Sequence, residues 1–134
     1  MTRLLTTALA LSLCAASADA QSFRAENRVT VNPLPSGQFE VIEGGEHGAR
    51  SIWCAAADYA QTRLGASGVN RLVVAAPRGN AQTAPGRKGV AFTLAPRDTG
   101  ASVSILGTSI RTPGASLRVA HADQFCYDRL LSSR

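Results

Sequence analysis

The chain has 134 residues, of which 45% are hydrophobic, 17% charged and 5% aromatic, with a formal net charge of +5. That length supports one domain and the hydrophobic fraction suits a folded one, which excludes a multidomain protein, a disordered acidic tail and a collagen-like chain. No apolar run reaches the roughly 18–20 residues that a membrane-spanning helix needs.

Residues 1–20 read as a secretory signal rather than as part of the fold. Arg3 gives a positive start, residues 4–13 are mostly apolar, and Ala18-Asp19-Ala20 fits the small-x-small cleavage rule, with Gln21 as the new N-terminus. Cys14 follows the apolar stretch, but Leu13 precedes it where a lipidated Cys wants a small residue. The expectation is a periplasmic or secreted single domain over residues 21–134. Cleavage removes Cys14 and leaves Cys54 and Cys126, an even pair that reads as a disulfide in an exported protein. Closing a loop of about 70 residues is worth about 4 kcal/mol as an upper guide. Arg50, one turn before Cys54, raises the alternative of a reactive thiolate, but no second Cys stands at redox spacing.

Residues 21–27 are polar and are expected to be loose. Val29-Thr30-Val31 suggests a short strand, and 32–37, with two prolines and a glycine, breaks it. Residues 39–43 alternate as a strand with Phe39 and Val41 on one face, ended by Gly44-Gly45. Residues 50–64 form the best helix: Trp53, Ala56, Ala57, Ala60 and Leu64 share one stripe, Asp58 and Thr62 lie opposite, and Gly65 suits a left-handed cap. Strands are expected around Leu72-Val73-Val74, over 90–94 with Val90, Phe92 and Leu94 inward, at Val103 and Ile105, and over 117–122 with Leu117, Val119 and His121 on one face. Residues 77–89 read as a long loop; 96–100 and 112–114 read as turns. Residues 123–131 fit either a short helix or an extended tail. One main helix packed on a small, mostly antiparallel sheet, stapled by a single disulfide, is the economical α+β solution.

Chemical sites are sparse. His47 and His121 with Glu46 and Asp123 match no metal-ligand spacing, so no metal or cofactor is expected. No G-x-S-x-G nucleophile motif and no P-loop is present. Glu40 and Glu43 fall on opposite strand faces, which argues against a carboxylate pair. No catalytic residue is therefore assigned. The basic residues are all Arg except Lys88; Arg78, Arg87 and Lys88 share one segment, flanked by Arg71 and Arg97. Such a cluster suits phosphate, sulfated sugar or another anionic envelope component. Scarce aromatics and export argue against nucleic acid.

Trp53-Cys54-Ala55-Ala56-Ala57-Asp58-Tyr59-Ala60, then Val90-Ala91-Phe92-Thr93-Leu94, then Phe125-Cys126-Tyr127 resemble an uncharacterised group of small exported proteins of Gram-negative bacteria. The resemblance spans most of residues 21–134 and implies a secreted single domain. It carries no activity, cofactor or catalytic residue. The resulting expectation is a binding or envelope-accessory domain, with a small secreted hydrolase using an unrecognised site as the alternative.

Overall fold

The computed structural model describes residues 21–44, 48–96, 103–104 and 109–132. The expected signal segment lies outside these residues, as do Glu46, His47, Arg97 and Ile105. The described chain is an α+β domain, one long helix on a sheet, as its hydrophobic pattern predicts.

Strands β1 (Phe23–Arg24), β2 (Thr30–Pro33) and β3 (Phe39–Ile42) precede helix α1 (Gly48–Leu64). Strands β4 (Arg71–Asn80), β5 (Lys88–Ala95), β6 (Val103–Ser104) and β7 (Ala115–Arg118) follow. Helix α2 (Val119–Gln124), a tight helical turn (Phe125–Tyr127) and helix α3 (Asp128–Ser132) complete the chain. The strands lie in one sheet in the order β1-β2-β3-β5-β4-β7-β6. Neighbours are antiparallel except β6 and β7, which run parallel.

Alternation sorts the strands. Val31, Phe39, Val41, Leu72, Val74, Val90 and Phe92 are buried in the core that α1 covers. Helix α1 buries more than the expected stripe. Trp53, Ala56, Ala57 and Ala60 are fully enclosed, and so are Ile52, Cys54 and Ala55, because α2 and the 125–127 turn also pack on the helix. The alanines let the layers come close. Trp53 meets Phe92 edge-on at 5.0 Å between ring centroids, and Tyr59 packs on Phe39 at 4.6 Å. Leu64 departs from the expected stripe and is 41% exposed, since the last turn of α1 runs past the core. Gly65 follows with φ +64°, and the Ala66 N–H donates to the Ala60 carbonyl at 2.9 Å, closing the helix as a left-handed cap does.

Three segments differ from expectation. Residues 21–27 are not loose: β1 pairs with β2, and the Phe23 ring packs edge-on to Tyr59 at 5.5 Å under the Arg63 guanidinium. An isolated aromatic leaves no periodic signal, so packing decides here. Residues 77–89 are largely strand, and only 81–87 form the turn of the β4–β5 hairpin. Pro77 is tolerated because the ladder shifts register between Ala76 and Gly79, where no N–H is needed. The Arg78 N–H instead donates to the Ile110 carbonyl at 2.9 Å.

Residues 117–122 are not one strand. After Arg118 the Val119 and Ala120 N–H groups turn to the carbonyls of Asn70 and Gly68, at 2.9 and 3.0 Å, and α2 begins. Leu117 and Val119 are buried, but His121 is exposed on the helix. A Cβ at Gly68 would lie 3.0 Å from the Ala120 Cβ, so this approach needs glycine. The ambiguous segment that follows is helical, held to α1 by the Cys54–Cys126 disulfide, with 5.0 Å between Cα atoms.

Candidate functional site

The basic residues singled out from sequence converge on Glu43, just past the end of β3. The Arg78 guanidinium grips the Glu43 carboxylate through two hydrogen bonds, Nε to Oε2 and Nη2 to Oε1, the latter 3.0 Å long. Arg87 donates to the Glu43 backbone carbonyl at 2.8 Å. Its guanidinium lies where a Cβ on Gly44 would stand at 3.0 Å, so that glycine makes room for it. Lys88 donates to the Asn80 side-chain oxygen at 2.8 Å across the hairpin.

Arg78 and Lys88 stand on the paired strands β4 and β5, and Arg87 closes the turn between them. Arg111 joins them because the Arg78–Ile110 backbone bond lays residues 109–111 beside β4. Sequence reasoning missed Arg111, which is remote in the chain; its only local signal is its place before the Thr112-Pro113-Gly114 turn. That turn forms as expected, with Ala115 N–H on the Thr112 carbonyl at 3.1 Å and Gly114 at φ +79°. Arg71 and its neighbours are not part of the corner. Arg71 bonds the Ser116 hydroxyl from Nε and Nη2, at 3.1 and 2.9 Å.

A half-open pocket of about 200 Å³ lies here, lined by Glu43, Gly48, Ala49, Ile52, Arg78, Ile110 and Arg111. Its floor is aliphatic and its wall is the Glu43–Arg78 pair. The Arg78 hydrogen bond holds the Glu43 carboxyl below its ordinary range against the opposing desolvation, and the charges of Arg111 and Lys88 act in the same direction as Arg78. A pocket of this size falls short of the roughly 300–1,000 Å³ usual for small-molecule sites.

The remaining candidates serve the fold. Glu40 is 2% exposed. Its carboxylate accepts the Gln82 N–H at 2.7 Å, the Thr83 N–H at 2.9 Å and the Thr83 hydroxyl at 2.6 Å, fastening the hairpin turn over the outer face of β2 and β3. Glu40 and Glu43 thus have separate partners, and no carboxylate pair forms between them. Burial pushes the Tyr59 phenol up, so it stays protonated among Phe23 and Phe39. His121 lies on the exposed face of α2 with its ring 5.5 Å from Phe125.

Arg50 donates to Asp128 at 2.9 Å and stands over the Phe125 ring, so it ties α1 to α3 instead of activating a thiolate. The Glu26 carboxylate lies within 4.8 Å of the sulfurs of Cys54 and Cys126, which are bonded to each other.

No helix among the described residues is long and apolar enough to cross a membrane. Comparison with protein-family models, curated proteins and solved structures returned no match.

Proposed function

We propose that the chain is an exported, disulfide-stapled binding domain, periplasmic or secreted, that engages anionic components of the cell envelope through its basic corner. The observation that carries this reading is the convergence of Arg78, Arg87, Lys88 and Arg111 around the carboxylate of Glu43. Among the described residues here, four cations face the two carboxylates of Glu43 and Glu40, an excess of positive charge that would favour an anionic partner. The signal-like residues 1–20 and the resemblance to small exported proteins of Gram-negative bacteria support export.

The test compares two sets of substitutions on an anionic column. Arg87→Ala, Lys88→Ala and Arg111→Ala together lower the salt needed for elution far more than Arg24→Ala with Arg28→Ala, which remove exposed charge near β1. Losses that scale only with the number of charges removed, three against two, would mean that retention reports net charge alone, and the proposal would fail.

A further inference from the structure

The C-terminal end of the chain sets large apolar side chains in solvent beside the basic corner. Tyr127, Leu130 and Leu131 are 59%, 56% and 74% exposed. Their position is fixed by two ties. Cys126 is bonded to Cys54, and Asp128 accepts from Arg50, so α3 is pinned next to the first turns of α1. The start of α1 also supplies Gly48 and Ala49 to the pocket lined by Glu43, Arg78 and Arg111.

One end of the molecule therefore combines an apolar cluster with Arg50, Arg78, Arg87, Lys88 and Arg111. Among the described residues the carboxylates at this end are Glu43 and Asp128, each held in an ion pair, and Glu26 beside the Cys54–Cys126 sulfurs. Among the described residues the other exposed large apolar side chains are Leu64, the last residue of α1, and Val69 just beyond it, both at the opposite end of the helix. Scattered residues of that kind are ordinary on a surface.

A soluble polyanion would engage the cations and leave the leucines in water. Leucines and a tyrosine flanked by arginine and lysine make the side-chain set of a segment lying at a bilayer surface. The aliphatic chains reach below the headgroups, the phenol sits among them, and the cations meet phosphate. We infer that the anionic component is a lipid surface, with Tyr127, Leu130 and Leu131 entering its interface while the basic corner holds the headgroups. This inference rests on the anion-binding reading above. Helix α3 has five residues. It buries too little apolar area to anchor the chain alone, so binding is reversible and needs both elements.

The oxidised protein beginning at Gln21 is co-sedimented with vesicles of phosphatidylglycerol and phosphatidylcholine in equal parts, and run in parallel on immobilised heparin. Wild type partitions onto the vesicles. Leu130→Ser with Leu131→Ser lowers that partitioning roughly tenfold, while heparin elution and the near-ultraviolet dichroism stay as in wild type. Unchanged vesicle partitioning in this variant would overturn the inference, as would heparin retention without vesicle binding. Failure of wild type to bind heparin would overturn the anion-binding reading beneath it.

Discussion

Glu40 shows how one buried charge organises this protein. Its carboxylate accepts hydrogen bonds from three donors at Gln82 and Thr83, and Thr83 in turn accepts from Asn32 at 2.8 Å. Glycine at position 89 leaves room for that side chain to pass over β5. A Cβ there would stand 3.1 Å from Glu40 Cγ and Oε1. Glu40→Gln replaces an acceptor with a donor facing donors, and should cost about 2–3 kcal/mol in urea denaturation. Gly89→Ala should cost about 1–3 kcal/mol through overpacking. Placed on Glu40→Ala, the same glycine substitution should cost clearly less, because the atoms it strikes are gone. Additive losses would contradict this packing.

Glu43 makes a different residue-scale prediction. Its folded pKa lies below the ordinary 4.5, chiefly through the Arg78 hydrogen bond. A depressed carboxyl pKa adds stability above the unfolded value, and that stability is lost as pH falls through the folded value. Glu43→Gln does not titrate. The stability advantage of wild type over Glu43→Gln should therefore shrink between about pH 6 and about pH 3. A pH-independent difference in urea midpoint would show that the pair adds no electrostatic stability.

Among the elements, α1 was the most legible. Its stripe from Trp53 to Ala60 and the Gly65 cap are visible in sequence because an amphipathic helix repeats its signal over several turns. Strand β3 and strand β5 were visible for the same reason at period two. Other segments follow tertiary partners that no local window contains. Pro77 and the glycines near it look like a loop, yet a register shift and the Ile110 carbonyl accommodate that chain as strand. Val119 fits the alternation of a strand, yet the carbonyls of Asn70 and Gly68 turn the chain into α2. Within the candidate site, Arg78, Arg87 and Lys88 were legible as a local cluster. Their focus on Glu43 and the addition of Arg111 arise only from the fold.

The disulfide belongs to this scale because it joins the centre of the sheet's helix to the terminal turn. Cys54 and Cys126 are 72 residues apart in sequence and both buried. Cys54→Ser or Cys126→Ser should each cost about 2–5 kcal/mol, and the double substitution no more than either single one beyond error, since one bond is lost once. Thiol labelling of the unfolded, unreduced protein beginning at Gln21, which lacks Cys14, should give no label. Two labels per chain would remove the staple from this architecture.

For the whole molecule, the sheet and α1 act as a scaffold that holds a hairpin, the segment at Ile110–Arg111 and the terminal helices at one end. The core carries the stability, through Trp53, Phe39 and Phe92 and the close alanine face. The charges sit on short segments anchored by backbone bonds, as at Arg78 to Ile110. That division allows Arg87, Lys88 and Arg111 to be replaced without opening the core. The most direct test is the salt dependence of binding to a soluble anionic polymer, compared between wild type and the Arg87→Ala, Lys88→Ala, Arg111→Ala variant. Each neutralised anion releases counterions, so the logarithm of affinity should fall with the logarithm of salt concentration with a slope of about −2 to −4, and the variant should lose about two units of that slope. Equal slopes for wild type and variant would contradict the assignment of the corner around Glu43 as the binding surface.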